Sequence, residues 1–268
     1  MVAIINPLPA GSAKQFLAPV LTLMAGASAV AVSLPSSAAG FTAIPLPQKK
    51  LDTVAQTASG KPETEKQPKQ EQTVSKPPAN EDPKAYAQCI AALKEAGVEF
   101  TENEKAIDDG NGCGIANPLT VRTVLPGIKL EPKATIRCET ALQLSRWAAE
   151  SIVPAAARAF GPEKTITSFH QVSSYQCRNR YGTPSGKQSE HAHGNAIDIS
   201  GFTFSGKDDV TIEPRAKDST LTGAFQRSII ASGCLYFTTV LGPESDDTHK
   251  THIHLDVIKR KRGYRYCW

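Results

Sequence analysis

An α+β domain, with an antiparallel sheet and flanking helices, is what the sequence predicts for residues 84–268. Three observations predict it. Helix-period segments begin near Ala85 and Cys138; β-branched and aromatic segments follow and outnumber them; and a single amphipathic stretch from Ser219 interrupts the strands. That order suits a sheet backed by helices better than alternating β-α units.

The chain of 268 residues changes composition twice before this domain. Residues 1–40 contain "FLAPVLTLMAGASAVAVSL", Phe16 to Leu34, behind Lys14 and ahead of "PSSAAG". This is the pattern of a secretory signal peptide or an uncleaved membrane anchor. Pro19, Gly26 and the serines weaken it as a span, so export with cleavage near Ala38 or Ala39 is favoured over a membrane tether through residues 16–34. Residues 41–83 turn to Pro, Gln, Lys, Thr and Glu, with too little apolar surface to offset the entropy of ordering. A disordered linker, serving as a stalk, is expected there.

All six cysteines lie in residues 84–268. Behind an export signal, an even number argues for three disulfides in an oxidising compartment. No two form a C-x-x-C pair, which argues against a zinc ribbon or a thioredoxin-like site. Sequence order does not choose the pairing; neighbour with neighbour, Cys89–Cys113, Cys138–Cys177 and Cys234–Cys267, is the expectation. A net charge of +4 suits loose contact with an anionic wall or membrane and falls short of a nucleic-acid footprint.

Within the domain, helical spacing runs from Ala85 to about Ala96, with Gly97 as its stop. A longer helix is expected over Cys138–Phe160, burying Leu142, Leu144, Trp147, Ala148 and Ile152 and kinked by Pro154. "TITSFHQVSSYQCRNR" reads as one or two strands, and "AIDISGFTFSG" and "DVTIEP" as two more joined through Ser205 and Gly206. The amphipathic helix has Ser219 or Thr220 as its cap; "YFTTVLG" and "HIHLDVIKR" close the domain as strands, which gathers the strands late in the chain.

Of six histidines, five fall in two short clusters, His191 and His193 in "SEHAHGNAID" and His249, His252 and His254 in "HKTHIHLD". Alternation puts Ala196, Asp198 and Ser200 on one face of the first strand, with Ile197 and Ile199 on the other. It likewise puts His252, His254 and Asp256 on one face of the second, with Ile253, Leu255 and Val257 in the core. A bend at Gly194 could bring His191 and Asp198 to one metal ion, and one histidine of the second cluster would complete a three-ligand set. Nitrogen and carboxylate ligands with a fourth direction open to water belong to catalytic zinc. A single histidine on a strand usually just satisfies hydrogen bonds; two dense clusters argue otherwise.

The first cluster carries S-x-H-x-x-G-x-A-x-D at Ser189, His191, Gly194, Ala196 and Asp198, and so resembles the zinc proteins that join lysostaphin-type peptidases, D-Ala-D-Ala carboxypeptidases and hedgehog domains. The C-terminal cluster resembles the H-x-x-H-x-H element of the penicillin-insensitive murein endopeptidases of that group. With "YQCRNRYG", "SGC", "TVLGP" and Cys267, the domain from about Ala85 is similar to the extensin-like C-terminal domain family.

The resemblance implies a hedgehog/D-Ala-D-Ala-peptidase-like fold and zinc held by His191, Asp198 and His254. It implies His252 as a catalytic histidine, His249 as another histidine at the site, and Arg178, ahead of the motif with Arg180, as a substrate-binding residue. His193 occupies a variable position and is expected to be solvated or structural, His170 to be packed, and Ser189 to support the turn. Where carboxypeptidases place a glutamate base, this chain offers His249 and His252, which favours endopeptidase chemistry. The expected function is an exported zinc-dependent amide hydrolase, a metallopeptidase acting as a monomer on peptidoglycan stem or cross-link peptides in the periplasm or envelope of a bacterium. The alternative is a non-catalytic zinc-containing module that binds the wall or a partner.

Overall fold

The computed structural model describes residues 81–206 and 208–268. The signal or anchor expected over 1–40, and all but the last three residues of the linker expected over 41–83, lie outside them. No helix among the described residues is long and apolar enough to cross a membrane.

The described residues form a mixed α+β fold around a mostly antiparallel sheet. Helix α1, Pro83–Glu95, starts on an Asp82 cap whose Oδ1 accepts the Ala85 N–H at 2.8 Å, with Pro83 in the first turn where its missing N–H does no harm. It stops as expected: Gly97, at φ 70°, takes the left-handed turn that returns the Val98 N–H to the Leu93 carbonyl. Five strands then precede the next helix, where none was expected: β1 Phe100–Glu102, β2 Ile107–Gly110, β3 Cys113–Ile115, β4 Leu119–Leu125 and β5 Ile128–Ile136. Strands are therefore not gathered late in the chain.

The expected helix over Cys138–Phe160 is present with its break. It comprises α2, Cys138–Trp147, one wider π-type turn at Ala148–Ile152, and α3, Val153–Phe160. Pro154 has no N–H to offer and its ring crowds the preceding turn. The chain answers by widening, and the Val153 N–H reaches back five residues to the Ala148 carbonyl. Leu144, Trp147, Ala148 and Ile152 are buried as expected, whereas Leu142 is only partly so.

After this crossover come β6 Ile166–Ser173, β7 Ala196–Phe204, β8 Asp209–Thr211, helix α4 Leu221–Gly233 capped by Thr220, β9 Thr239–Leu241, β10 Ile253–Asp256 and β11 Tyr266–Cys267. Nine strands make one sheet in the order β1-β4-β5-β6-β7-β10-β9-β11, with β8 beside β7; β2 and β3 form a separate ribbon. Pairing is antiparallel except for β5 with β6, which the α2–α3 crossover separates, and β9 with β11.

β7 is the hinge of this arrangement. Along one edge, its first half pairs with β10 and its second half with β8. The alternation read from sequence holds: Ile197, Ile199, Ile253 and Leu255 are fully buried in a core shared with Trp147, Phe225 and Ile229. The Trp147 indole N–H is itself satisfied by the Ile229 carbonyl at 3.1 Å. Each of those four strand side chains contributes about 1.5–3 kcal/mol. A one-residue slip of either strand would turn its two outward, a loss of about 3–6 kcal/mol against the ~5–15 kcal/mol stability of a domain. Packing on one face thus fixes what the other face presents.

Three disulfides staple the fold: Cys89–Cys138, Cys113–Cys177 and Cys234–Cys267. The last agrees with neighbour-with-neighbour pairing and the first two overturn it. α1 packs on α2, which brings Cys89 to the first residue of α2, while the β2–β3 ribbon carries Cys113 away to the segment that follows β6. A further tie holds the start of the described chain. The Glu81 carboxylate meets Arg137 at 2.6 Å, both side chains being largely buried, and Arg137 in turn donates to Asn195 Oδ1 at 2.7 Å.

Candidate metal centre

His191 reaches the site from a short turn, Glu190–His193, closed by Gly194. Ser189 caps this turn by accepting the His191 N–H, the supporting role expected of it. Gly194 stands at φ 64°, and a Cβ there would collide with the Ile115 side chain and come within 3.2 Å of the Arg137 amide. Only glycine meets both demands. The β2–β3 ribbon braces the same region through Ile115, through the Cys113–Cys177 bridge, and through Tyr175, whose hydroxyl donates to Asp109 at 2.7 Å.

The antiparallel register sets His254 directly opposite Asp198. The two side chains therefore stand side by side on the polar face, and the turn lays His191 across them. His191 Nε2 lies 3.2 Å from His254 Nδ1 and 3.2 Å from Asp198 Oδ2, and His254 Nδ1 lies 2.8 Å from Asp198 Oδ1. His191 Nδ1 faces the Ser174 carbonyl at 2.8 Å, which can only accept, so this nitrogen carries the proton and Nε2 presents its lone pair. Two nitrogens and a carboxylate oxygen converging at these separations repel unless a proton or a cation lies among them. Tetrahedral ligands around zinc, at ~2.0–2.2 Å, stand about 3.3 Å from one another, so the donor set and its spacing fit that ion.

The electrostatics agree. Burial pushes the Asp198 carboxyl up, but the His191 and His254 imidazoles beside it outweigh this and hold the group well below the carboxylate range. Burial opposes charge on His254, yet the carboxylates of Asp198 and Asp256 overcome it and raise its pKa to about 9. Asp256 lies 3.5 Å from His254 Nε2 and fixes the outer side of that ring. The site is built to hold positive charge.

A cleft of about 230 Å³ opens on these residues. His252 and His249 line it, together with Arg178, Arg180, Tyr181 and Arg260. His252 Nε2 is 3.8 Å from Asp198 Oδ2. Burial pushes the His252 imidazole down and nearby Asp198 offsets this only in part, leaving a neutral ring able to accept a proton. His249 is oriented by Asp246, whose Oδ1 accepts from His249 Nδ1 at 2.7 Å; its ring centre lies 5.2 Å from that of His252. Arg178 reaches the cleft with its Nε bonded to Gln176. Arg180 reaches it too, 3.6 Å from buried Glu190.

All six residues predicted for the site are thus brought to one place. His193 is buried, so the structural alternative holds and the solvated one does not; His170 packs on β6, its Nε2 2.6 Å from Thr203 Oγ1. Sequence reasoning gave no role to Asp246 and Asp256, the carboxylates that orient His249 and His254. Their signals were present: Asp246 stands three residues before His249, and Asp256 shares the polar face of β10 with His254.

A family model described as extensin-like protein C-terminus matches residues 87–268. No curated protein and no solved structure matches the chain.

Proposed function

We propose, from the premise that the chain belongs to the extensin-like protein C-terminus family, that it is an exported zinc-dependent amide hydrolase of the endopeptidase kind, acting on peptidoglycan peptides in a bacterial envelope. The observation that carries this reading is the convergence of His191, Asp198 and His254 at the floor of a cleft that two further histidines line. A hedgehog/D-Ala-D-Ala-peptidase-like arrangement of the sheet belongs to the same reading. When bound, zinc supplies a Lewis acid that acidifies water and polarises a carbonyl.

The chain's own groups supply the rest. His191 and His254 have their outer nitrogens occupied by Ser174 and Asp256, so each ring is held in one orientation. Neutral His252, beside Asp198, takes the proton of the attacking water and returns it to the departing amine. His249, locked by Asp246, lines the same side and orients that water or the substrate carbonyl. Arg178, with Arg180, offers a guanidinium to a carboxylate of the peptide stem. Three disulfides fit the oxidising compartment that export through residues 1–40 would reach, and residues 41–83 would serve as a stalk.

The test is metal content and muropeptide hydrolysis of the full chain beside His254→Ala and His252→Ala. About one zinc per chain is expected, lost in His254→Ala. In His252→Ala the metal is kept and cleavage falls by at least about a hundredfold. Zinc without any cleavage of wall peptides by the unaltered protein would overturn the hydrolase and leave a zinc-containing binding module.

A further inference from the structure

Exposed aromatic rings concentrate on one segment beside the cleft. Tyr264, Tyr266 and Trp268 are 60%, 41% and 67% exposed. Cys267 turns inward to its bridge with Cys234, so its two neighbours, Tyr266 and Trp268, share the outer face of edge strand β11. Their ring centres are 6.2 Å apart, with the planes inclined at 61°. The backbone beneath them is fixed: the Trp268 N–H donates to the Val240 carbonyl at 2.9 Å, and its own carbonyl accepts from Gly242 at 3.1 Å. Rigid backbone carrying rings that face water forgoes burial that large aromatics would otherwise gain. Tyr266 also lines the cleft that holds His252 and His254, so the shelf and the cleft are one continuous surface.

The shelf is too narrow for a protein partner. It is a two-residue strand preceded by exposed Lys261 and Arg262, whereas a stable protein interface takes about 800 Å² from each side. Single rings with polar margins suit a ligand whose units have an apolar face and hydroxyl edges. A sugar ring has that form: its C–H face stacks on an aromatic ring, and its hydroxyls meet phenol and cationic donors.

We infer that Tyr266 and Trp268 bind the glycan strand of the wall polymer, positioning its peptides in the adjacent cleft. The choice of polymer rests on the hydrolase reading above; the sugar-binding shelf does not. Binding of the full chain to a soluble, peptide-free N-acetylglucosamine oligomer tests it. The chain has two tryptophans and Trp147 is fully buried, so a change in indole emission reports Trp268. The oligomer should shift that emission saturably to shorter wavelength, with no shift in Trp268→Ala. Tyr266→Ala should bind about tenfold more weakly, and both variants should be retained less on isolated sacculi, with Trp268→Phe keeping most of the retention. An unperturbed emission, or sacculus binding unchanged in Trp268→Ala, overturns the inference. A shift produced by anionic phospholipid vesicles and not by the oligomer overturns it in favour of a membrane. Hydrolysis of a sugar-free stem peptide by the unaltered protein tests the hydrolase reading separately: glycan binding without that cleavage supports the shelf and removes the peptidase.

Discussion

Asp256 shows how much of the centre depends on residues that need not touch a metal. It is buried and faces His254 Nε2, while its Oδ1 accepts the Ile258 N–H at 3.1 Å, so the ring it orients is tied to the main chain. Asp256→Asn keeps the volume and removes the charge. Zinc affinity, read by competition with a chelating dye, should fall about 10- to 100-fold without unfolding. Gly194 acts by shape. Gly194→Ala forces a left-handed alanine into the Ile115 side chain, and denaturant unfolding should show a loss of about 2–4 kcal/mol. His191 and Asp198 were legible as a pair because strand alternation and one glycine bend bring them together by short-range geometry, whereas His254 was singled out from His252 only by the resemblance, since both lie on one face of a strand remote in sequence. Asp246 and Asp256 carried spacing signals as well, but only the folded structure tells an orienting acid from an ordinary surface one.

At the scale of elements, the strands with ordinary patterning were readable and the ribbon that braces the site was not. β2, "IDDG", is mostly exposed and acidic, and its pairing with β3 shifts register at Gly110, so it offers neither alternation nor apolar content. β4 and β5 did carry a signal, β-branched runs around Pro126-Gly127, which form the hairpin observed. Disulfide partners depend on which elements pack together, and order along the chain says nothing of that. The bridges should differ in what they protect. Loss of Cys113–Cys177, which closes 64 residues, or of Cys234–Cys267, which closes 33, should each lower stability by about 4 kcal/mol in the chain-entropy picture. Only the former secures the segment that presents His191. Replacing Cys113 and Cys177 by serine should therefore also weaken zinc binding, and replacing Cys234 and Cys267 should leave it unchanged, as calorimetric titration of both would show.

For the molecule as a whole, one sheet divides the work: aromatic and aliphatic side chains hold one face together, and the other face is left to carry buried charge. Such an arrangement is readable as α+β from composition and periodicity, but the sheet order is not, because β7 and β10, the neighbours that carry the site, are far apart in sequence. The contact between Glu81 and Arg137 decides where the folded unit can be cut. A fragment starting at Lys84, the point at which the linker composition ends, discards Glu81 and the Asp82 cap together and leaves the largely buried Arg137 without its carboxylate. Breaking a buried pair from one side is worth about 3–5 kcal/mol, so the 84–268 fragment should melt well below 81–268, with proteolysis reaching Asn195 and the turn beside it first. Those who trim this protein for crystals or for assays will find three residues of apparent tail to be part of the folded domain's own foundation.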